Sequence, residues 1–254
     1  MERDHRGHVA SFFVETQLVA GAPVSASEAA AHHARVKRIE VGARVRVTNG
    51  AGNVGIGTIA TFTRARLTVQ IEDVWSEPAA PPIHLRVPIA DRDRMLWLAE
   101  KAAEFGVASW QAVRFKRSAS VSPRGEGETF LMKVRARMIG ALEQSGGAWL
   151  PSVLPDATLG TVAASPSEKR ILLDRDGAPL ASLLALPVLG APVILFGPEG
   201  GLEPNEVSEL EEGGWQRASL AATTLRFETA GLAAIAVCRA LIAPSGSTGG
   251  RTHG

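Results

Sequence analysis

The chain has 254 residues with an ordinary 45% hydrophobic content, long for one compact core and comfortable for two. Its single cysteine, Cys238, can form no intrachain disulfide, which suits the reducing cytoplasm. The formal net charge of +1 is unevenly spread: residues 1–75 hold 9 Lys/Arg and 7 Asp/Glu, residues 76–150 hold 11 and 8, and residues 151–254 hold 7 and 11.

No long apolar stretch follows the first residues, which argues against a secretory signal. Residues 11–14 read as a strand and 26–39 as a helix carrying His32 and His33. Adjacent helical histidines point to different faces, and no acidic or cysteine partner sits at ligand spacing, so no metal site is expected. Residues 43–48, 55–62 and 65–71 alternate apolar and polar side chains, the mark of a small antiparallel sheet or barrel. Gly50, Gly52 and Gly55 match a dinucleotide fingerprint, but β-rich sequence follows instead of a helix, so they mark a hairpin.

Residues 76–82 include three prolines and form the expected linker between two domains. Beyond it, residues 83–89 read as a strand, and Asp91 caps a helix that runs to Phe105 and stops at Gly106. A strand at 109–114, a loop at 117–128 and a long helix at 129–144 follow; Phe130, Val134, Met138 and Ala141 share one side of that helix, Lys133 and Arg137 another. Arg114, Lys116, Arg117, Arg124, Lys133, Arg135 and Arg137 form a basic cluster suited to a phosphate backbone or to ordinary solvation. Further strands are expected at 161–164, 171–173 and 193–196, giving an α/β layer with a mainly parallel sheet. The uncharged run from Gly177 to Pro198 is broken by Pro179, Pro187, Gly190 and Pro192, so no membrane span is expected. The Gly- and Ser-rich tail 244–254 is expected to be disordered.

Chemistry concentrates between Val193 and Ala236. The buried run Val193–Phe196 ends at Gly197-Pro198-Glu199-Gly200-Gly201, which cannot extend a strand and forms a tight backbone cradle. A surface helix starts near Pro204 and ends at Gly213-Gly214. Arg226 and Glu228 then stand beside an apolar, small-residue helix, where charge needs a reason. The glycine turn lacks the Lys-Ser/Thr pair of a P-loop, which excludes a nucleotide-hydrolysing reading.

Phe196-Gly197-Pro198-Glu199-Gly200-Gly201-Leu202, then Ser219-Leu220, then Leu225-Arg226-Phe227-Glu228-Thr229-Ala230 resemble the RsmE family of 16S ribosomal RNA (uracil-N3) methyltransferases, of the SPOUT superfamily. The resemblance extends through residues 6–15, His32-His33-Ala34-Arg35-Val36, residues 100–107 and Glu143-Gln144-Ser145-Gly146. One block departs: where the family reads Leu-Gly-Pro-Arg, Leu220 is followed by Ala221, Ala222 and Thr223.

The resemblance implies a small N-terminal PUA-like β-barrel for RNA binding at 1–75 and a SPOUT-type α/β domain at 83–243 with a deep trefoil knot. It implies S-adenosylmethionine as cofactor, 16S ribosomal RNA or the small ribosomal subunit as partner, and a homodimer formed partly through the C-terminal helix. The implied cofactor contacts are Leu172, Phe196, Gly197, Pro198, Glu199, Gly200, Gly201, Leu220, Leu225, Arg226 and Thr229. Methylation at N3 needs a proton acceptor and a cation, roles that fall to Glu228 and Arg226; a structural ion pair between these two is the competing reading. RNA contacts are expected from Arg6, His32, His33, Arg35, Arg117, Lys133 and Arg137. The altered loop motivates one alternative, a ribosome-binding assembly factor of the same fold with weakened or lost catalysis.

Overall fold

The structure, a computed structural model, describes residues 9–63, 66–120, 123–164, 169–184 and 190–242. Arg6 and the tail 244–254 lie outside the described residues. The chain divides into two compact units, Met1–Ala79 with Met138–Leu150, and Ala80–Arg137 with Pro151–Gly254.

In the first unit, β1 (Ser11–Phe13), β2 (Pro23–Ala26), β3 (Arg44–Thr48), β4 (Asn53–Phe62) and β5 (Leu67–Ser76) form a five-stranded sheet in the order β1-β3-β4-β5-β2. Its pairings are antiparallel except β1 with β3. Gly50 and Gly52 take φ of 69° and 86° in the β3–β4 connection, so the glycine spacing there serves a hairpin. The alternation of Val45, Val47, Ile59, Val69 and Ile71 buries one face with Phe12. Helix α1 (Glu28–Val36), capped by the Ser27 hydroxyl accepting from Ala30 N–H at 3.2 Å, adds Ala30, Ala31 and Ala34 to that core. Strand β2 was not expected from the sequence; at four residues it is too short to show its period.

The second unit is built on a six-stranded, all-parallel sheet in the order β11-β9-β10-β6-β7-β8. These strands are β6 (His84–Pro88), β7 (Ser109–Arg114), β8 (Ser152–Thr158), β9 (Lys169–Pro179), β10 (Pro192–Phe196) and β11 (Gln216–Ser219). The helices are α2 (Arg92–Glu104), α3 (Glu128–Ser145), α4 (Leu159–Ala163), α5 (Leu180–Leu184), α6 (Pro204–Glu212) and α7 (Phe227–Leu241). Residues 77–83 carry neither helix nor strand.

Asp91 caps α2 as expected, accepting from Asp93 and Arg94 N–H at 3.1 and 3.0 Å. Residues 161–164, expected as a strand, instead fall at the end of α4, whose N-cap is Thr158. A short apolar run carries no period long enough to separate the two. Helix α3 matches its expected span, but its half from Met138 onward belongs to the first unit, where Glu143 accepts Phe13 N–H at 2.9 Å and lies 3.5 Å from His33.

Helices cover both faces of the parallel sheet. Val193 and Leu195 of β10 pack with Val162 of α4 and Leu210 of α6, while Phe196 lies against α7, which also meets α2. Gly231 permits the second contact, because a Cβ there would sit 2.8 Å from Phe196 Cζ and 2.9 Å from Leu98 Cδ2. Cys238 is buried in α7, where burial pushes its thiol up to about 12. Among the described residues no helix is long and apolar enough to cross a membrane, and no group of three or more His, Cys, Asp or Glu stands together as a metal site.

Candidate active site

A cleft opens at the carboxyl end of β10, beside the part of β9 just past its pairing with β10, the side of the sheet where ligands of open parallel sheets bind. Three segments wall it. The first is Leu173-Asp174-Arg175 of β9, the second the turn beyond Phe196, and the third the irregular stretch from Leu220 to Leu225 leading into α7. In the turn, Gly201 N–H donates to Pro198 C=O at 2.8 Å and Gly201 takes φ of 71°, a conformation suited to glycine. A Cβ on Gly197 would stand 3.1 Å from Leu202 Cγ, so the strand exit is tight.

The turn is braced from below. Glu206, 2% exposed, accepts Glu203 N–H with one oxygen and Lys116 N–H with the other, each at 2.8 Å. This reciprocal cap fixes the start of α6 against the segment after β7. Arg117 reaches the same region, with Nε donating to Glu203 Oε1 at 2.8 Å and its terminal nitrogen to Gly200 C=O.

Of the expected cofactor contacts, Phe196, Gly197, Pro198, Gly201, Leu220 and Leu225 line the cleft together. Leu172 does not: it aligns with Leu195 and its side chain joins the core, whereas Leu173, aligned with Phe196, faces the cleft. Glu199, Gly200, Arg226 and Thr229 stand beside the cleft in sequence without lining it. Ala221 and Thr223, from the block that departs from the family pattern, do line it.

Arg226 and Glu228 do not pair. Arg226 is the N-cap of α7, with its carbonyl accepting Ala230 N–H at 2.9 Å and its exposed side chain meeting no partner among the described residues. Glu228 sits in the first turn with a side chain 14% exposed, where the helix dipole favours a carboxylate. Its Oε1 lies 4.0 Å from Arg94 Nε, and its buried Oε2 has no hydrogen-bond partner. Arg94 also forms an ion pair with Glu199, joining the glycine turn to α7 through α2. Arg94 was not singled out from the sequence; nothing local marks a residue whose partners lie more than a hundred positions away.

Asp174 and Leu173 were also missed. The available signal was a charged residue directly after the apolar run Ile171-Leu172-Leu173. Asp174 Oδ1 accepts Asp176 N–H at 2.9 Å and an Arg217 N–H at 3.0 Å. Burial pushes this carboxyl upward, but Arg217 and the Asp176 N–H outweigh it and hold it below the ordinary range.

The expected RNA contacts divide between the units. In the first, His32 is exposed on α1, His33 turns inward against Phe12 and Glu143, and Arg35 lies over the Phe62 ring at 6.0 Å. In the second, Arg137 lies 3.7 Å from Glu100, Lys133 is exposed, and Arg117 holds the glycine turn. Arg114 and Arg124 both pair with Glu126, so part of the basic cluster is internally compensated.

Comparison with known proteins agrees with the resemblance. An RNA methyltransferase domain model matches residues 77–239 and an RNA methyltransferase PUA domain model residues 27–72. Ribosomal RNA small subunit methyltransferase E of Mycobacterium bovis is 27% identical over 239 residues, covering 88% of each chain. The Synechocystis protein of that name is 27% identical over 237 residues, covering 90% of this chain and 77% of its own. The crystal structure of a ribosomal RNA small subunit methyltransferase E from Neisseria gonorrhoeae, bound to S-adenosyl methionine, superposes with a TM-score of 0.80 at 28% identity, over 92% of this chain and 98% of that one. An α/β domain preceded by a PUA-like sheet is thus the architecture found, and with a matched domain spanning well over half its length the chain belongs to the RNA methyltransferase domain family.

Proposed function

We propose that the chain transfers a methyl group from S-adenosylmethionine to N3 of a uridine in 16S ribosomal RNA of the small subunit. The observation that carries this reading is the cleft at the carboxyl end of β10, walled by Leu173-Asp174-Arg175 of β9, by the glycine turn and by Leu220–Leu225. The residues fit the cofactor: apolar side chains such as Leu202 and Leu225 offer a surface for an adenine ring, the turn offers backbone donors and acceptors, and Asp174 offers a carboxylate. The cofactor, when bound, supplies an electrophilic methyl group on a positively charged sulfur.

N3 of uracil carries a proton at neutral pH, so the chain must accept that proton and stabilise charge on the flanking carbonyl oxygens. Glu228 takes the proton, directly or through water, and Arg226 meets the developing negative charge. The N3 lone pair left by that proton would then be free to accept the methyl group that the bound cofactor supplies. Glu199 and Gly200 shape the turn, Leu172 supports it from the core, and Thr229 extends the site into α7. RNA is placed by residues 1–75, including Arg6, His32, His33 and Arg35, with Arg117, Lys133 and Arg137 adding contacts from residues 83–243. Residues 76–82 serve as the linker, a homodimer forms partly through Ala230–Ala240, the C-terminal helix completes a trefoil knot, and the protein works in the cytoplasm.

The alternative of an assembly factor without catalysis rests on Ala221-Ala222-Thr223. It is not favoured, because Ala221 and Thr223 still line an open cleft. Calorimetry with S-adenosylmethionine, together with mass spectrometry of ribosomal RNA from a deletion strain with and without the restored gene, tests the proposal. A missing methyl on one 16S uridine, regained on complementation, is the expected result; absence of any cofactor binding heat would overturn it.

A further inference from the structure

We propose that Asp174 makes the cleft select the cationic sulfonium cofactor over the uncharged thioether left after transfer. This inference rests on the methyltransferase reading above and gives the Asp174 carboxylate named there a specific task. Asp174 lines the cleft directly after Leu173, which aligns with the last residue of β10, so it stands just past the pairing of β9 with β10.

The cleft is otherwise poor in charge. Among the described residues lining it only Asp174 and Arg175 are ionisable, and Arg175 lies 3.6 Å from Asp176, which does not line the cleft. Asp174 uses Oδ1 for both of its protein partners, Arg217 and the Asp176 N–H, and no described residue donates to Oδ2. Arg217 is shared with Asp176 at 3.7 Å and Glu211 at 4.0 Å. Three carboxylates therefore surround two guanidinium groups, which leaves this cluster one net negative charge. The same Arg217 contact keeps Asp174 ionised at neutral pH.

A largely apolar site that receives a cation must compensate it. At neutral pH the cofactor bears a sulfonium, an ammonium and a carboxylate, for a net charge of about +1, whereas the product lacks the sulfonium charge and is neutral overall. Asp174 would thus meet a ligand of net charge about +1 before transfer and one of no net charge after it. The attraction that helps loading vanishes at the moment the product must leave.

Calorimetry on the full chain with S-adenosylmethionine and with S-adenosylhomocysteine tests this. Asp174→Asn preserves shape and removes charge; it is expected to weaken S-adenosylmethionine about tenfold and S-adenosylhomocysteine by less than about twofold, because charge alone distinguishes the ligands at this position. Asp174→Glu should retain most of the preference. If Asp174→Asn does not fold, the wild type still decides: rising salt should weaken S-adenosylmethionine more than S-adenosylhomocysteine. An equal loss for both ligands, as a ribose-hydroxyl contact would give, or no loss for either, overturns the inference while leaving the methyltransferase reading intact. A wild type that binds neither ligand overturns both.

Discussion

Replacing Arg226 separates catalysis from architecture. Its guanidinium is exposed at the N-cap of α7 with no partner among the described residues, so Arg226→Ala should change stability by no more than about 0.5 kcal/mol. In the proposed reaction, however, the cation meets charge that develops only in the transition state. Loss of such a contact costs on the order of 2–4 kcal/mol, or roughly 30- to 1000-fold in rate. Glu228→Ala should behave differently in one respect. It removes a carboxylate near Arg94 and at a helix N-terminus, and so should lower the thermal midpoint by a few degrees as well as slow turnover. The assay is single-turnover methylation with saturating cofactor, alongside thermal unfolding of both variants. A normal rate for folded Arg226→Ala removes it from the site. A matched fall in melting temperature for both variants would restore the ion pair that the structure does not contain.

Gly231→Ala should destabilise the second unit by about 1–3 kcal/mol, since its methyl would meet Phe196 Cζ at 2.8 Å, and a melting temperature equal to wild type would refute the tight packing of α7 on β10. Glu206→Ala strips the acceptors from Glu203 and Lys116 N–H and should cost about 2–4 kcal/mol in chemical denaturation, with Glu206→Gln recovering part of it; no loss would mean water replaces the carboxylate. Burial, outweighing the Phe13 N–H and His33, holds Glu143 above the ordinary carboxylate range. With the folded value raised, its stabilising contribution is fully present below the unfolded value of about 4.3 and is lost as pH rises through the folded one. Glu143→Gln should therefore flatten that decline and leave the melting temperature at neutral pH unchanged or higher; a clear fall at pH 7 would count against the sign.

Much of this protein is written locally. The proline-rich segment at 76–82, the period-two strands at 44–48 and 53–62, the Asp91 cap and the glycine turn after Val193–Phe196 each follow from steric and hydrogen-bonding rules that act over a few residues. What the local reading missed were the strands β2, β8 and β11, and α4, whose short apolar run was expected as a strand. The sequence also brought Gly197, Leu220 and Leu225 to notice as motif members, but only the parallel pairing of β9 with β10 puts Leu173 and Asp174 on the cleft wall and turns Leu172 into the core. Charge pairing was the least legible feature. Arg226 and Glu228, two positions apart, invited an ion pair, yet residues i and i+2 do not share a helix face, and Arg94 of α2 approaches Glu228 instead. Which cation meets which carboxylate depends on how α2 and α7 pack on the sheet, a long-range arrangement that no window of neighbouring residues encodes.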